Sequence, residues 1–152
     1  MNVIIDNFDD KYIHFFPSVK NTVMDNSSFI RIGYSDALVK LYGIYVELTL
    51  IPKGIEKYFN KSKYFYDFLE NEEELTKIIK LEEKILSKLC YEGYMNKAHK
   101  LKEQLFSNNI RVFCNNEEKQ IIPNKILVKI SGIWETENSC GLTFKFFNIT
   151  RP

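Results

Sequence analysis

The sequence predicts an α+β protein with a helical insertion between its N-terminal and C-terminal strands, built on either an antiparallel β-sheet or an OB-like barrel. Apolar and aromatic residues are concentrated in short runs towards both ends of the chain. Between them lies a stretch rich in lysine, glutamate and leucine, whose apolar residues recur at helical spacing. The resulting order of strands, helices and strands is compatible with an OB-like barrel and with helices packed on one face of a sheet.

The first group of strands is expected within about residues 1–51. Residues 3–5 and 12–16 are short apolar runs bounded by turn-forming residues, and the first run is a candidate edge strand. Residues 29–34 and 37–51 are predicted to form a hairpin. Because Gly43 interrupts the second strand of this hairpin, a bulge or a sharp bend is expected there.

The helical insert is expected to span about residues 55–107. Its first helix is predicted from apolar residues at helical spacing, namely Leu75, Ile78, Ile79, Ile85, Leu86 and Leu89. Asn71 and Gly93 are the expected start and stop of this helix. The inner face of a second helix is predicted to carry Met95, Ala98, Leu101 and Leu105. Residues 58–69 are rich in aromatic side chains and are compatible with either helix or loop.

The C-terminal strands are expected within about residues 110–150. Runs at 110–113, 125–134 and 142–149 have strand-like composition. The last two runs are predicted to form a hairpin, because the connection at 135–141 is polar and contains glycine.

A short phrase occurs twice in these predicted strands, at residues 38–45 and 127–134. Both copies contain Leu-Val-Lys, an aliphatic residue, one variable position, and then Gly-Ile followed by an aromatic residue. A phrase this short does not establish an internal duplication. We interpret it as the mark of two bent strands on either side of the helical insert.

The composition indicates one globular, intracellular domain over residues 1–152. Hydrophobic residues make up 45% of the chain, which is well inside the globular range. Cys90, Cys114 and Cys140 share no short spacing, which favours a reducing compartment and buried structural thiols. The first residues lack the pattern of a secretion signal, and no apolar run approaches about 18 residues, so no membrane association is expected.

The sequence contains no recognised catalytic motif. His14 lies among aromatic residues and His99 among lysines, where structural and solvated roles are favoured over proton transfer. No Gly-rich phosphate loop, nucleophile elbow or His-Glu-x-x-His pattern occurs. The acidic run at residues 70–74 is typical of a solvated helix start. We therefore expect a non-enzymatic protein that uses no cofactor and no metal.

The strand composition favours binding to single-stranded nucleic acid. Aromatic rings that stack on bases, beside lysine or arginine side chains that contact phosphates, bind single strands with little sequence preference. The candidate binding residues are Arg31, Lys40, Tyr42, Tyr45, Lys129, Trp134, Phe144 and Lys145. Strand alternation places Lys40 and Tyr42 on one face, whereas it places Phe144 on the face opposite to Lys145. For Trp134, packing in the core is the favoured alternative.

Several short motifs resemble those of a group of viral proteins. They are Tyr34-Ser35, Gly43-Ile44-Tyr45, residues 130–135 (Ile-Ser-Gly-Ile-Trp-Glu) and residues 141–146 (Gly-Leu-Thr-Phe-Lys-Phe). Together with the helical middle, they resemble small uncharacterised proteins of large eukaryotic DNA viruses with AT-rich genomes. The abundance of Asn, Lys, Ile, Phe and Tyr fits such a genome. The resemblance implies a viral role in the host cytoplasm, in the nucleus or in the virion, and it assigns no binding residues.

Two functions follow as alternatives. The first is binding of single-stranded DNA or RNA during viral replication or expression. The second is a structural or interaction role, such as that of a small virion component or assembly adaptor, with a viral protein partner or a homo-oligomer. A net charge of +1 favours the second function unless basic side chains are collected in a local patch.

Overall fold

The computed structural model describes residues 3–4, 9–21, 26–35, 40–58, 61–89, 96–113 and 124–148. Within these ranges the chain forms a 12-stranded, mostly antiparallel sheet with two α-helices between strands. The predicted α+β class, with an antiparallel sheet and a helical insertion, is therefore confirmed.

The bounds of the elements are as follows. The strands are β1 (Val3–Ile4), β2 (Ile13–Phe15), β3 (Val19–Lys20), β4 (Ser28–Ser35), β5 (Lys40–Leu41), β6 (Ile44–Thr49), β7 (Pro52–Tyr58), β8 (Lys61–Tyr66), β9 (Asn96–Ala98), β10 (Asn109–Phe113), β11 (Lys125–Glu135) and β12 (Ser139–Asn148). The helices are α1 (Glu72–Leu89) and α2 (Lys100–Phe106), and short 3-10 helices cover Asp10–Tyr12 and Leu69–Asn71.

The long strand β11 organises the sheet. One edge of β11 pairs with β12, and the other edge pairs first with β6 and then with β4. The main path through the sheet is β1-β6-β11-β12-β10-β8-β7, and β4 carries β2, β3 and β5 beside it. Among the described strands, β1 and β7 end this path without pairing to each other. The sheet is therefore open, and the OB-like barrel is not confirmed.

The helices cover one face of the sheet, which we call the inner face. Amphipathic spacing in α1 buries a row of apolar side chains, and α2 adds a smaller set. The fully or nearly fully buried helix residues are Leu75, Ile78, Leu81, Ile85, Leu86, Leu101 and Leu105. They pack with the inward residues of the strands into one apolar core. The predicted inner face is thus confirmed in α1 at Leu75, Ile78, Ile85 and Leu86, with Ile79 partly buried, and in α2 at Leu101 and Leu105. Gly93, Met95 and the side chain of Leu89 lie outside the described part of the chain.

Two polar side chains join the helices to the rest of the fold. Asn71, the expected N-cap, is buried and instead accepts a hydrogen bond from Ile51 N (2.7 Å) and donates one to Asp67 O (2.9 Å). The Glu82 carboxylate of α1 is also buried, and it accepts hydrogen bonds from two backbone N–H groups in the first turn of α2, those of Leu101 (2.9 Å) and Lys102 (3.1 Å). Burial raises the pKa of Glu82, and these hydrogen bonds oppose the rise.

The helical insert begins later than the sequence predicts. Residues 52–66, expected within or at the border of the helical region, form the antiparallel hairpin β7–β8. Along β8, Ser62, Tyr64 and Tyr66 are buried and the residues between them are more exposed, which is the alternation of a strand. Ala98 also lies in a strand, β9, rather than in the second helix.

The glycines of the repeated phrase bend the strands in two different ways. Gly43 has a positive φ of 122° and separates β5 from β6, whereas Gly132 follows a register shift in β11 that is typical of a β-bulge. The predicted bend or bulge is therefore confirmed in both copies. The hairpin connection after β11 is shorter than predicted, because β12 already begins at Ser139.

Candidate nucleic-acid interface

Alternation along the strands divides the sheet into two chemically distinct faces. In β11, Ile126, Val128 and Ile130 are buried on the inner face, and the residues between them face the other way. The cross-strand partners of those intervening residues define the opposite surface, which we call the outer face. Neither α1 nor α2 packs on the outer face, so its side chains are partly or fully exposed.

The centre of the outer face is a row of one tyrosine and two lysines. Lys129 of β11 pairs with Tyr45 of β6 on one side and with Lys145 of β12 on the other. The Lys129 Nζ atom lies 5.6 Å from the centroid of the Tyr45 ring. The three predicted residues Tyr45, Lys129 and Lys145 are therefore brought together.

Two phenylalanine rings continue this row across the next strands. Phe113 of β10 pairs with Phe147 of β12, and the ring centroids are 5.7 Å apart at an interplanar angle of 36°. The Nζ atoms of Lys61 and Lys145 lie 5.1 Å and 5.3 Å from the Phe113 ring centroid. One aromatic ring is thus flanked by two ammonium groups from different strands.

A basic pocket lies at the far end of the row, where β10, β8 and β7 meet. It has a volume of about 290 Å³ and is lined by Tyr58, Lys61, Ser62, Lys63 and Arg111. We call it the edge pocket. Lys63 and Arg111 are direct cross-strand partners. At the rim, the Tyr58 hydroxyl donates a hydrogen bond to the Glu56 carboxylate (2.7 Å), and this bond raises the pKa of Tyr58.

Positive charge predominates on the outer face although the whole chain carries only +1. Its basic residues on the main sheet path are Lys61, Lys63, Arg111, Lys125, Lys129 and Lys145, and its acidic residues there are Glu47 and Glu56. Glu47 forms an ion pair with Lys125 (3.3 Å). Cation–π contacts at exposed sites contribute only about 0.5–1 kcal/mol, so the remaining cations can rotate towards phosphates at little cost.

A second arm of the outer face runs along β4 and β5. Arg31 faces Gly132 across the β11–β4 pair, and the Lys40 Nζ atom lies 5.9 Å from the Tyr42 ring centroid. Tyr42 is 60% exposed and also contacts Phe16, with ring centroids 6.1 Å apart. Lys40 and Tyr42 therefore lie together, as the sequence predicts.

Trp134 also belongs to this arm, but its ring lies against the sheet. A Cβ atom built on Gly141 would lie 2.6 Å from Trp134 Cζ2, so the indole covers this glycine. In a regular strand Trp134 and Lys129 would lie on opposite faces, because side chains alternate and one residue number is even and the other odd. The bulge between Ile130 and Gly132 shifts the phase and returns both to the outer face.

Phe144 does not belong with the other candidate residues. It pairs with Ile130 on the inner face and packs against the core, with its ring 5.6 Å from that of Phe146. Because the alternation that exposes Lys145 turns Phe144 inward, the structure does not bring Phe144 together with the other candidate binding residues. Sequence reasoning missed Lys61, Lys63, Arg111, Phe113 and Phe147, although the spacing of Lys61, Lys63 and Phe65 at every second position is a strand signal.

The rest of the described chain offers few other chemical sites. Across the residues that the structure describes, no group of three or more His, Cys, Asp or Glu side chains could hold a metal ion. The described helices include none that is long and apolar enough to cross a membrane. Cys140 is buried and forms no disulfide with another described residue, whereas Cys90 and Cys114 lie outside the described residues.

Comparison of the chain with protein-family models, with curated proteins and with solved structures gave no match. The outer face is therefore interpreted by its own chemistry.

Proposed function

We propose that this protein binds single-stranded nucleic acid through the outer face of its sheet and catalyses no reaction. The observation that carries the proposal is the mixture of rings and cations across adjacent strands, from Tyr45 and Lys129 through Phe113 to the edge pocket. Rings with an accessible face stack on bases, and lysine and arginine contact the phosphates between them. The open sheet supports this mode of binding without the closed barrel that the OB-like alternative required.

The dimensions of the face suit a short single strand. Strands β6, β11, β12, β10, β8 and β7 are consecutive neighbours on the sheet path. Neighbouring strands lie about 4.8 Å apart, so this part of the face is roughly 24 Å wide. A duplex would keep its bases stacked inside and could not use the rings, which favours single-stranded DNA or RNA as the ligand. The resemblance to proteins of large DNA viruses supports a role in viral replication or expression inside the host cell.

A second candidate function is supported by an apolar surface away from the outer face. Phe68 and Phe106 stack with ring centroids 4.5 Å apart, and Phe106 is 50% exposed. The neighbouring Leu69 is 75% exposed. Exposed apolar clusters mark protein contacts, so this surface favours a structural or adaptor role with a viral protein partner or a second copy of the chain. Analytical ultracentrifugation of the purified protein and of Leu69→Ser tests self-association through this surface. A wild-type protein that stays monomeric at every concentration would count against it.

The test of the first candidate is fluorescence anisotropy with labelled single strands of about 12 nucleotides and with the matching duplex. We expect micromolar or tighter binding to single strands that weakens steeply as salt rises, and weaker binding to the duplex. The double variant Lys129→Gln/Lys145→Gln should lose most of this affinity. Lys80→Gln/Lys84→Gln, which replaces two exposed lysines of α1, is the matched charge control. Binding that is absent at low salt, or equal in the double variant and the control, would contradict the proposal.

A further inference from the structure

We propose that the edge pocket binds the terminal phosphate of the single strand, so that one end of the strand is fixed at β7 and β8. This inference rests on the proposed function and adds an end preference to it. The pocket is lined by Lys61, Lys63 and Arg111, which bring three cations from two paired strands to one concave site.

The charge of the pocket suits a terminal phosphate better than a phosphate inside the strand. A phosphate monoester carries about 1.5–2 negative charges near pH 7, whereas each internal diester carries one. Within the described part of the chain, no carboxylate forms an ion pair with Lys61, Lys63 or Arg111. Glu56, the cross-strand partner of Lys63, is hydrogen-bonded to Tyr58 instead. The cations are therefore available to a strongly charged anion.

The position of the pocket also favours the end of a strand. Its outer wall belongs to β7, the last strand on the sheet path. The Glu56 carboxylate stands at this rim and would repel a further phosphate that continued past it. Phe113 is next to the pocket, because Lys61 both lines the pocket and lies over that ring. A terminal phosphate in the pocket would thus leave its own base about one strand spacing, roughly 4.8 Å, from the first stacking ring.

A second and larger cavity lacks these properties. It measures about 530 Å³ and is lined by Asp10, Lys80, Glu83, Lys84, Ser87 and Lys88. Lys88 is already paired with Asp10 (3.6 Å), and Glu83 lies beside the remaining lysines. Its mixed charge gives no comparable preference for an anion.

The experiment compares three forms of one oligonucleotide: with a 5′-phosphate, with a 3′-phosphate, and with hydroxyl groups at both ends. Each form competes with a labelled strand for the wild-type protein, and fluorescence anisotropy measures the displacement. We expect one phosphorylated form to bind roughly tenfold more tightly than the hydroxyl form, the effect of one well-made charged hydrogen-bond set. Inorganic phosphate and a mononucleotide are tested as competitors. They should compete only weakly, because inorganic phosphate reaches no ring and a mononucleotide reaches at most the first ring, that of Phe113.

Variants separate the pocket from the rest of the face. Arg111→Gln and, independently, Lys63→Gln should reduce the preference for the phosphorylated end to within about twofold while hydroxyl-ended strands still bind. Lys129→Gln should weaken all forms by a similar factor and keep the preference, and Lys80→Gln should change neither quantity. Circular dichroism of each variant checks that it is folded.

The outcomes distinguish this inference from the proposed function. Strands that bind with equal affinity whatever their ends overturn the terminal-phosphate site and leave nucleic-acid binding intact. A preference that survives both Arg111→Gln and Lys63→Gln, or inorganic phosphate that competes as well as the phosphorylated strand, also overturns it. If no strand binds at all, the proposed function and this inference fall together.

Discussion

The inner and outer faces of the sheet are built from alternate residues of the same strands, yet they differ in almost every physical property. On β11 the inner residues Val128 and Ile130 have no exposed surface, whereas Lys129 between them contacts the Tyr45 ring and reaches solvent. Stability therefore resides mainly in one set of alternate positions, and the residues of the proposed binding surface occupy the other. The comparison implies that outer-face residues can be changed without unfolding the protein, which makes its function open to mutational testing.

The largest expected effect is the loss of an inner-face side chain. Ile130 is fully buried between Ile44 and Phe144, so Ile130→Ala removes apolar contacts and leaves a cavity. We expect a loss of about 2–5 kcal/mol in the free energy of unfolding. Leu127→Ala, on the outer face of the same strand, should cost about 1 kcal/mol. Urea titration of both variants measures the difference, and equal losses would mean that the two faces are not energetically distinct.

The next effect concerns the part of the outer face where rings lie directly on the sheet. A Cβ atom at Gly132 would lie 2.3 Å from Ile30 O and 2.5 Å from the Phe29 ring, so Gly132→Ala must displace backbone or ring atoms. We expect a loss of about 1–3 kcal/mol. Such a loss would show that the second arm of the outer face, along β4 and β5, stabilises the fold although it is part of the exposed surface.

Gly54→Ala is the matched control for this substitution. Gly54 also lies in a strand, but a Cβ atom there would meet no atom within 4 Å. Its replacement should be neutral or stabilising by up to about 1 kcal/mol, since alanine loses less backbone entropy on folding. Similar melting temperatures for the two variants would show that the close approach of Phe29 to Gly132 costs little to relieve.

Local patterns in the sequence predict the inner face much better than the outer one. The apolar positions of α1 and the opposite orientations of Lys145 and Phe146 follow from periods of 3.6 and 2, which short segments reveal on their own. In β8 the signal is hidden, because tyrosines and a serine lie inward while Phe65 lies outward. Because β8 has no apolar–polar alternation, its sequence is compatible with helix or loop as well as with the observed hairpin.

The candidate site depends on features that no local pattern contains. Arg111 meets Lys63 only because β10 pairs with β8, across more than one intervening element. Trp134 joins the outer face only because of the bulge before Gly132. Long-range pairing and a one-residue phase shift decide which residues share a face. Local patterns therefore place several residues of the outer face, such as Lys129 and Lys145, but they do not predict the edge pocket.

The Phe113 ring of the outer face is expected to contribute to nucleic-acid binding more than to the packing of the fold. Phe113→Leu keeps an apolar side chain beside Phe147 but removes the aromatic face between Lys61 and Lys145. If Phe113 stacks on a base, the variant should lose about 1–3 kcal/mol of binding free energy while its stability changes little. Phe106→Leu, on the exposed surface of α2, is the control and should bind as the wild type does. Anisotropy titrations measure the affinity of the wild type and of both variants for a single strand. If Phe113→Leu binds the strand as tightly as the wild type does, stacking on this ring is excluded.

The smallest effect concerns Glu82, a buried carboxyl group on the otherwise mainly apolar inner side. Because burial raises the pKa of its carboxyl above the usual 4.5, the folded protein binds this proton more tightly than the unfolded chain does. The contribution of Glu82 to stability is therefore complete below about pH 4.5 and is lost as the pH rises through the folded-state pKa, by about 1.4 kcal/mol per unit of pKa shift.

Glu82→Gln removes this titration but keeps a side chain of the same shape. Its amide oxygen can still accept a hydrogen bond from α2, although Leu101 N and Lys102 N then share one acceptor. The variant should be less stable overall, and the stability of the wild type minus that of the variant should fall between about pH 4.5 and pH 7. Glu83→Gln, at the exposed neighbouring position, is the control for the loss of a carboxylate from this part of α1. Urea titrations across this range measure both differences; a wild-type advantage that grows with pH would mean that the two backbone hydrogen bonds outweigh burial, and that even this carboxylate is stabilised as an anion inside the fold.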